Sequence, residues 1–254
     1  MKKSVVLVGL GEIGGVFARA LLKTGHIVVP VLCGSNWEEI RVEYPEPQCV
    51  IVAVRENNLS EVLSKMPGRW KDKTVLVQNE LLPSAWKMHG IINPTVISVW
   101  FEKKQPNDFK VIIPSPIYGP NAQCIYSALK ALGIASTIVL SEEELLFELV
   151  LKNVYILTTN ITGLKVGGTV GQLWDEHKQL AREVAEEVMD IQFAVIGKEL
   201  DREKLIQAMV HAFKGDKAHK CMGRSAQPRL ERALKQADEF ELKVNCLRGI
   251  KRGL

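Results

Sequence analysis

The stretch Val5-Val6-Leu7-Val8-Gly9-Leu10-Gly11-Glu12-Ile13-Gly14-Gly15 limits the possible folds more than any other, because an apolar run breaks into glycines and then into a helical pattern. Val5 to Val8 is short, apolar and rich in β-branched residues, as in a strand buried on both faces of a parallel sheet. From Ile13 onward Phe17, Ala20 and Leu21 recur at three- and four-residue spacing, which predicts an amphipathic helix. Gly9, Gly11 and Gly14 stand in the order G-x-G-x-x-G. In that order the first glycine makes a tight turn, the second lets backbone approach a pyrophosphate, and the third packs helix on strand. The helix start, with Glu12 and Ile13 in its first turn, then offers N–H groups and a positive dipole end to phosphates. Lys23-Thr24-Gly25-His26 and a second apolar run, Ile27 to Leu32, close a strand–helix–strand unit. The pattern predicts a dinucleotide-binding turn, with an ordinary glycine-rich turn as the alternative.

With 254 residues, 46% apolar and 24% charged, the chain can form one large or two modest globular domains. No run approaches the length of a membrane span, and Met1-Lys2-Lys3-Ser4 leads straight into the first strand. The expectation is a cytoplasmic protein without a signal peptide. Cys33, Cys49, Cys124, Cys221 and Cys246 are odd in number and share no metal spacing, so they read as reduced thiols and no metal site is expected. Cys33 and Cys49 lie in or beside strand-like runs and read as core packing. Residues 214–254 carry eleven Lys and Arg against five Asp and Glu, yet lack interleaved aromatics. That basic segment therefore reads as solvated surface or an anion-facing wall, and nucleic acid is not an expected partner.

The first part of the chain alternates strand and helix signals. Strands are expected at Val5–Val8, Val28–Leu32, Cys49–Val54, Thr74–Gln78, Val96–Trp100, Val111–Ile113 and Thr137–Leu140, with helices at Glu12–Lys23, Leu59–Lys65 and Asn121–Leu132. This alternation predicts an α/β, Rossmann-type doubly wound parallel sheet over residues 1–140, with ligands at the carboxyl ends of its strands. Glu43-Tyr44-Pro45-Glu46-Pro47 reads as a loop. At Ser141 the character changes: Ser141-Glu142-Glu143-Glu144 is a capping box ahead of Leu145, Leu146, Leu149 and Leu151. A helix should run from there to about Thr162 and end near Gly163. Further helices are expected at Gln172–Met189, Asp201–Phe213 and Pro228–Glu239, which makes residues 141–254 an all-helical second domain.

Cofactor choice turns on the end of the second strand, where an acid usually holds the adenosine ribose. Here it reads Leu32-Cys33-Gly34-Ser35-Asn36, with no acid. Ser35 and Asn36 can donate to a 2′-phosphate, and Arg41 or Arg55 can add charge, so NADP is favoured over NAD. Arg55 follows the strand Cys49–Val54 and Asn79 follows Thr74–Gln78, which places both at the sheet's carboxyl edge. A surface pair of Arg55 with Glu56 and a turn-capping role for Asn79 are the alternatives.

The opening glycine unit, the Val54-Arg55 strand end, Gln78-Asn79, and Lys152 with Asn160 on a long helix resemble ketopantoate reductase (2-dehydropantoate 2-reductase) and its relatives. The resemblance implies a Rossmann domain, a helical second domain, and NADPH-dependent reduction of the ketone of 2-dehydropantoate on the route to pantothenate. It implies that Lys152 is the catalytic lysine that protonates the carbonyl oxygen. The same resemblance places Asn79 near nicotinamide and substrate, Asn160 at the hydroxy-acid end, and Asn58 and Arg55 near the cofactor. A homodimer is a further expectation. Lys152, Ile156 and Asn160 are spaced by four and share one helix face. A lysine buried there would have its pKa drawn down toward a useful acid–base range, whereas on the outer stripe of the helix it would simply be solvated.

The chain also departs from that family. Cys33-Gly34-Ser35 stands where relatives carry an arginine, Asn79-Glu80 replaces Asn-Gly, and Ile156 replaces an asparagine. The family's C-terminal Ser-Met-x-x-Asp run has no clean counterpart. In its place Gly215-Asp216-Lys217-Ala218-His219-Lys220-Cys221-Met222-Gly223-Arg224-Ser225 is basic and glycine-punctuated. His219, Lys220 and Arg224 can hold a substrate carboxylate or phosphate, or belong to a solvated loop. Three functions follow: an NADP-dependent oxidoreductase of a small 2-oxo acid, a non-catalytic NADP(H)-binding sensor or assembly module, and a dehydrogenase of the 6-phosphogluconate or imine class. His26, His89 and His177 are isolated and read as surface or packing residues. Tyr118-Gly119-Pro120 and Trp100-Phe101 can line a pocket or pack, and Lys243, Arg248, Lys251 and Arg252 read as a charged tail.

Overall fold

The computed structural model describes residues 3–105 and 108–254. Its elements divide between two compact units, Met1–Glu148 and Leu149–Leu254. The first contains β1 (Ser4–Val8), α1 (Glu12–Lys23), β2 (Ile27–Val31), α2 (Trp37–Glu43), β3 (Cys49–Val52), α3 (Glu56–Lys65) and α4 (Gly68–Lys71). It continues with β4 (Thr74–Leu76), α5 (Ser84–Lys87), β5 (Thr95–Ile97), β6 (Phe101–Gln105), β7 (Asp108–Val111), β8 (Ser115–Tyr118), α6 (Ala122–Ala131) and β9 (Ser136–Ile138). Helix α7 (Glu142–Val166) begins in the first unit and runs into the second. There follow α8 (Val170–Glu176), α9 (Lys178–Ile196), α10 (Arg202–Gly215), α11 (Ala226–Glu239) and α12 (Asn245–Arg252).

Seven strands form one sheet in the order β2-β1-β3-β4-β5-β8-β9, parallel throughout except for the β5–β8 pair. Because β1 is followed on one side by β2 and flanked on the other by β3, the strand order reverses at β1. Right-handed crossovers therefore place α1 and α3 on opposite faces. Helix α6 follows the reversed strand β8 and packs beside α1. Between these two helices and the sheet lies a core that includes Val5, Leu7, Phe17, Leu21, Cys49, Ile51, Ile97, Ile117, Ile125 and Leu129. The unbroken apolar strands β1 and β3 are buried at every position but Ser4, as a strand covered on both faces requires.

Several expected boundaries move. The strand expected at Val111–Ile113 is instead the end of a β6–β7 hairpin outside the main sheet. Its place in the sheet is taken by β8, which contains a proline that argues against a strand. The Pro116 carbonyl nevertheless accepts from the Ser98 N–H at 3.0 Å, so only the missing donor is lost. The stretch Trp37–Glu43, where no helix is expected, forms α2: Asn36 Oδ1 accepts from the N–H groups of Glu38 and Glu39, and Asn36 Nδ2 donates to Glu39. Trp100 and Phe101 are fully packed rather than lining a pocket, with Phe101 edge-on to Phe17 at 6.4 Å. Cys33, expected in the core, is exposed on the turn after β2, whereas Cys49 is buried.

At the start of α7 the Ser141 hydroxyl accepts from Glu144 N–H, while Glu144 accepts from Leu140 N–H, so the expected cap is present. Helix α7 does not stop at Gly163. A Cβ there would lie 2.9 Å from Cys221 Cβ, so this glycine serves close packing, and the helix ends before Gly167 and Gly168, both left-handed. The single helix expected over Gln172–Met189 is two, broken at His177 (φ −128°, ψ 30°). The first begins earlier because Thr169 and Gln172 form a capping box. The expected charged tail is the amphipathic helix α12, which packs on α9 with Leu247 and Ile250 buried. Each such burial contributes about 1.5–3 kcal/mol. Glu187 of α9 accepts from the N–H groups of Cys246 and Leu247 at 2.8 and 2.9 Å and so caps it.

Candidate functional site

At the carboxyl edge of the sheet the glycine turn is held by contacts only glycine permits. Gly9 has φ +90°, and a Cβ on it would lie 2.8 Å from the Ala53 carbonyl oxygen. A Cβ on Gly14 would lie 2.1 Å from the Gly9 oxygen. Gly11 differs: nothing of the protein comes within 4 Å of its Cβ position, although it is the N-terminal cap of α1. Two glycines thus press α1 against the ends of β1 and β3, and the third leaves the start of α1 open. That division of labour fits a pyrophosphate approaching the free N–H groups. Glu12 is exposed beside the turn and Ile13 packs against the core.

The neighbouring strand ends complete this edge. Gln78 is buried. Its Nε2 donates to the carbonyls of Val52 (2.6 Å) and Val54 (3.3 Å), and its Oε1 accepts from Val77 N–H. This one amide ties the end of β3 to the end of β4 and so fixes both Arg55, the exposed N-cap of α3, and half-buried Asn79. Asn58 is exposed on the first turn of α3. Glu80, next to Asn79, takes φ +55°, a left-handed conformation that costs a non-glycine residue on the order of 1 kcal/mol.

After β2, the Ser35 hydroxyl accepts from Leu32 N–H at 2.9 Å, a bond that leaves its O–H proton to donate. The Asn36 amide is engaged at both ends in capping α2. Arg41 is paired with Glu38, and its guanidinium holds that carboxyl below the usual range. Among the described residues Arg55 pairs with no carboxylate, so of the two candidate arginines it is the one open to a phosphate.

In the second unit the middle of α7 is buried all round. Lys152 is buried, and its Nζ lies 5.8 Å from the centroid of the Tyr155 ring. Burial rules out the solvated outer stripe. Eight residues on, Asn160 donates to the Cys221 carbonyl at 3.2 Å and accepts from Arg229 Nη1 at 2.9 Å. Arg229, half-buried on α11, was not singled out by sequence. Nothing in its surroundings in the chain distinguishes it from Arg224 or Arg232. Burial pushes the Cys221 thiol up to about 11, which leaves it an inert neighbour of this cluster.

The segment between α10 and α11 is pinned by its backbone. Val170 and Gly171 N–H donate to the carbonyls of His219 and Lys217, and Cys221 N–H donates to Gly168. His219 is half-buried with Nδ1 3.8 Å from the buried Asp216 carboxylate. Lys220 and Arg224 are exposed. The structure therefore brings Asn160 together with Arg229 rather than with Lys220 or Arg224. Among the described residues no group of three His, Cys, Asp or Glu side chains could hold a metal ion, and no helix is long and apolar enough to cross a membrane.

No protein-family model matches this chain, and no curated protein matches it in sequence. Solved structures do. A 2-dehydropantoate 2-reductase from Methylococcus capsulatus shares 13% identity at a TM-score of 0.68, covering 97% of this chain and 94% of its own. A D-mandelate dehydrogenase in complex with NADH shares 11% at 0.67, covering 98% and 96%. A dimeric ketopantoate reductase from Staphylococcus aureus shares 14% at 0.63, covering 97% of each. The fold of this chain is that of the ketopantoate reductases: a Rossmann-type, mostly parallel sheet followed by a helical region.

Proposed function

We propose that this protein is an NADP-dependent oxidoreductase that reduces the ketone of a small 2-oxo acid, as 2-dehydropantoate 2-reductase does. The observation that carries the reading is Lys152, buried on an otherwise apolar stretch of helix two turns from Asn160 on the same face. The nicotinamide, when bound, supplies the hydride. Gly9, Gly11 and Gly14 shape the turn that receives the pyrophosphate, and the first N–H groups of α1 bind it. Ser35 and Arg55 take the 2′-phosphate, with Asn36 setting the turn and Asn58 lying beside it. Asn79 orients the carbonyl. The Lys152 ammonium donates a hydrogen bond to the carbonyl oxygen and gives up its proton as negative charge develops there. Arg229, steadied by Asn160, binds the carboxylate as a charge-assisted pair. His219, Lys220 and Arg224 form the basic approach to it.

The acid-free end of β2 and the unpaired Arg55 support NADP over NAD. A cytoplasmic enzyme of pantothenate biosynthesis, working as a homodimer, is the corresponding setting. The occupied amide of Asn160 and the apolar Ile156 favour one alternative, a non-catalytic NADP(H)-binding module.

Thermal melting with NADPH, NADH and a panel of 2-oxo acids, alongside NADPH oxidation, tests the reading. NADPH at about 100 times its Kd should stabilise by about 2.7 kcal/mol, and more than NADH at equal concentration. Lys152→Ala should lower kcat by about 10²–10⁴ while keeping the NADPH shift. No shift with either dinucleotide sinks the proposal, and a shift without turnover of any 2-oxo acid leaves the binding module.

A further inference from the structure

The proposed reaction uses two charged groups, Lys152 for the carbonyl oxygen and Arg229 for the carboxylate, and α7 determines what lies between them. Lys152 and Asn160 stand two turns apart, about 12 Å along the helix axis. Ile156 is midway between them on the same face and is buried. Lys152 Nζ, over the Tyr155 ring, marks one end of this face. The Arg229 guanidinium, 2.9 Å from Asn160 Oδ1, marks the other. The carbon atoms of a substrate held by both groups therefore pass over the Ile156 side chain.

The polar side chains around this face are already occupied. Asn160 is engaged at both ends: its Nδ2 donates to the Cys221 carbonyl at 3.2 Å and to the Thr159 hydroxyl at 3.4 Å, and its Oδ1 accepts from Arg229. The Thr159 hydroxyl in turn donates to the Tyr155 carbonyl at 2.8 Å. Asn153, the neighbour of Lys152, donates to the buried Gln192 amide at 2.8 Å. Tyr155 packs its ring on Phe213, with centroids 5.5 Å apart. Thr158 has a buried hydroxyl without a hydrogen-bond partner among the described residues, but it is two positions from Ile156 and so lies on the far side of the helix.

We infer that the substrate is a 2-oxo acid whose side chain is a hydrocarbon without a hydroxyl, and that Ile156 sets this preference. This class of substrate rests on the reductase reading and narrows it. A hydrocarbon chain laid on Ile156 gains by leaving water, whereas a hydroxyl there gives up its water partners and finds no replacement. Apolar surfaces of this kind reject an added hydroxyl roughly 10- to 100-fold. The chemistry is that of the ketone reduction: a hydride from the nicotinamide joins the ketone carbon, the C=O π pair moves to oxygen, and that oxygen takes the Lys152 proton. The products are the 2-hydroxy acid and the oxidised dinucleotide.

The test compares trimethylpyruvate with 2-dehydropantoate, which differ by a single hydroxyl on one methyl group. With NADPH and the wild-type chain, kcat/KM should be roughly 10- to 100-fold higher for trimethylpyruvate. In the complex with NADP⁺, which cannot reduce either acid, trimethylpyruvate should raise the melting temperature more than 2-dehydropantoate at equal concentration. Ile156→Asn should bring the kcat/KM ratio down by about tenfold, while Ile156→Val, which keeps the surface apolar, should leave the preference in place. Equal or higher kcat/KM for 2-dehydropantoate overturns the hydrocarbon class and leaves the reductase reading standing. A ratio that Ile156→Asn does not change overturns the role of Ile156. The expected order of melting shifts without turnover of either acid overturns the reductase reading and keeps the ligand class. No shift and no turnover with either acid overturns both.

Discussion

The glycine turn of the first unit is made of backbone, whereas the polar cluster of the second is made of side chains. Gly9 and Gly14 are five residues apart in the chain and meet because one turn brings them together. Asn160 and Arg229 are 69 residues apart and meet only because α7 and α11 pack around the Cys221 loop. A backbone site fails by steric collision, and a side-chain site fails by leaving a buried group without its partner. The two regions should therefore respond differently to small substitutions.

Gly14→Ala should do the most damage. Its Cβ would lie 2.1 Å from the Gly9 carbonyl oxygen, so α1 must move off β1, at a cost of about 3 kcal/mol in chemical denaturation and with loss of dinucleotide binding. Next comes Arg229→Ala, which removes the donor to buried Asn160 Oδ1. It should cost about 1–3 kcal/mol of stability, and in the proposed reaction it should raise KM for a 2-oxo acid more than it lowers kcat. Arg229→Lys should recover part of the KM, since charge remains but the fixed fork is lost.

A smaller effect is expected from Glu187→Ala, which strips the acceptor from two N–H groups at the start of α12. A loss of about 1 kcal/mol, read by hydrogen exchange as earlier opening of α12, would show that the second unit depends on side-chain reach even for its helix ends. Least disruptive to folding is Gly11→Ala, within about 0.5 kcal/mol, because no protein atom lies near the added methyl. If it weakens NADPH binding while Gly14→Ala weakens folding, the two glycines have the separate roles their surroundings suggest. If Gly11→Ala binds NADPH as tightly as wild type, the open face of the turn does not receive the pyrophosphate.

Much of the first unit was legible because its signals are local. The run from Val5 to Gly14 and the matching of Glu12–Lys23 to α1 depend on spacings within one strand–helix pair. Strand β8 was not legible: Pro116 argues against a strand, and only pairing with β5 and β9 makes one there. Helix α12 was hidden because a short, charged segment earns its helicity from Leu247 and Ile250 packing on α9 and from the Glu187 cap. Gly163 shows the reverse error, in which a residue that usually ends a helix is kept inside one by the close approach of Cys221.

The candidate sites divide in the same way. Gly9, Gly11, Gly14, Arg55 and Asn79 follow from where strands end, and strands end where apolar runs do. Lys152 could be placed on a helix face by spacing but not declared buried, since that depends on everything packed around α7. Arg229 beside Asn160 and Gln78 bridging two strand ends are products of tertiary structure alone. By itself the sequence determined the order of elements and the shape of the glycine turn, because those are set by periodicity and by the glycine backbone. Tertiary structure decided which charged and polar side chains meet, because hydrogen bonds and ion pairs act over a few ångströms in space and carry no memory of distance along the chain.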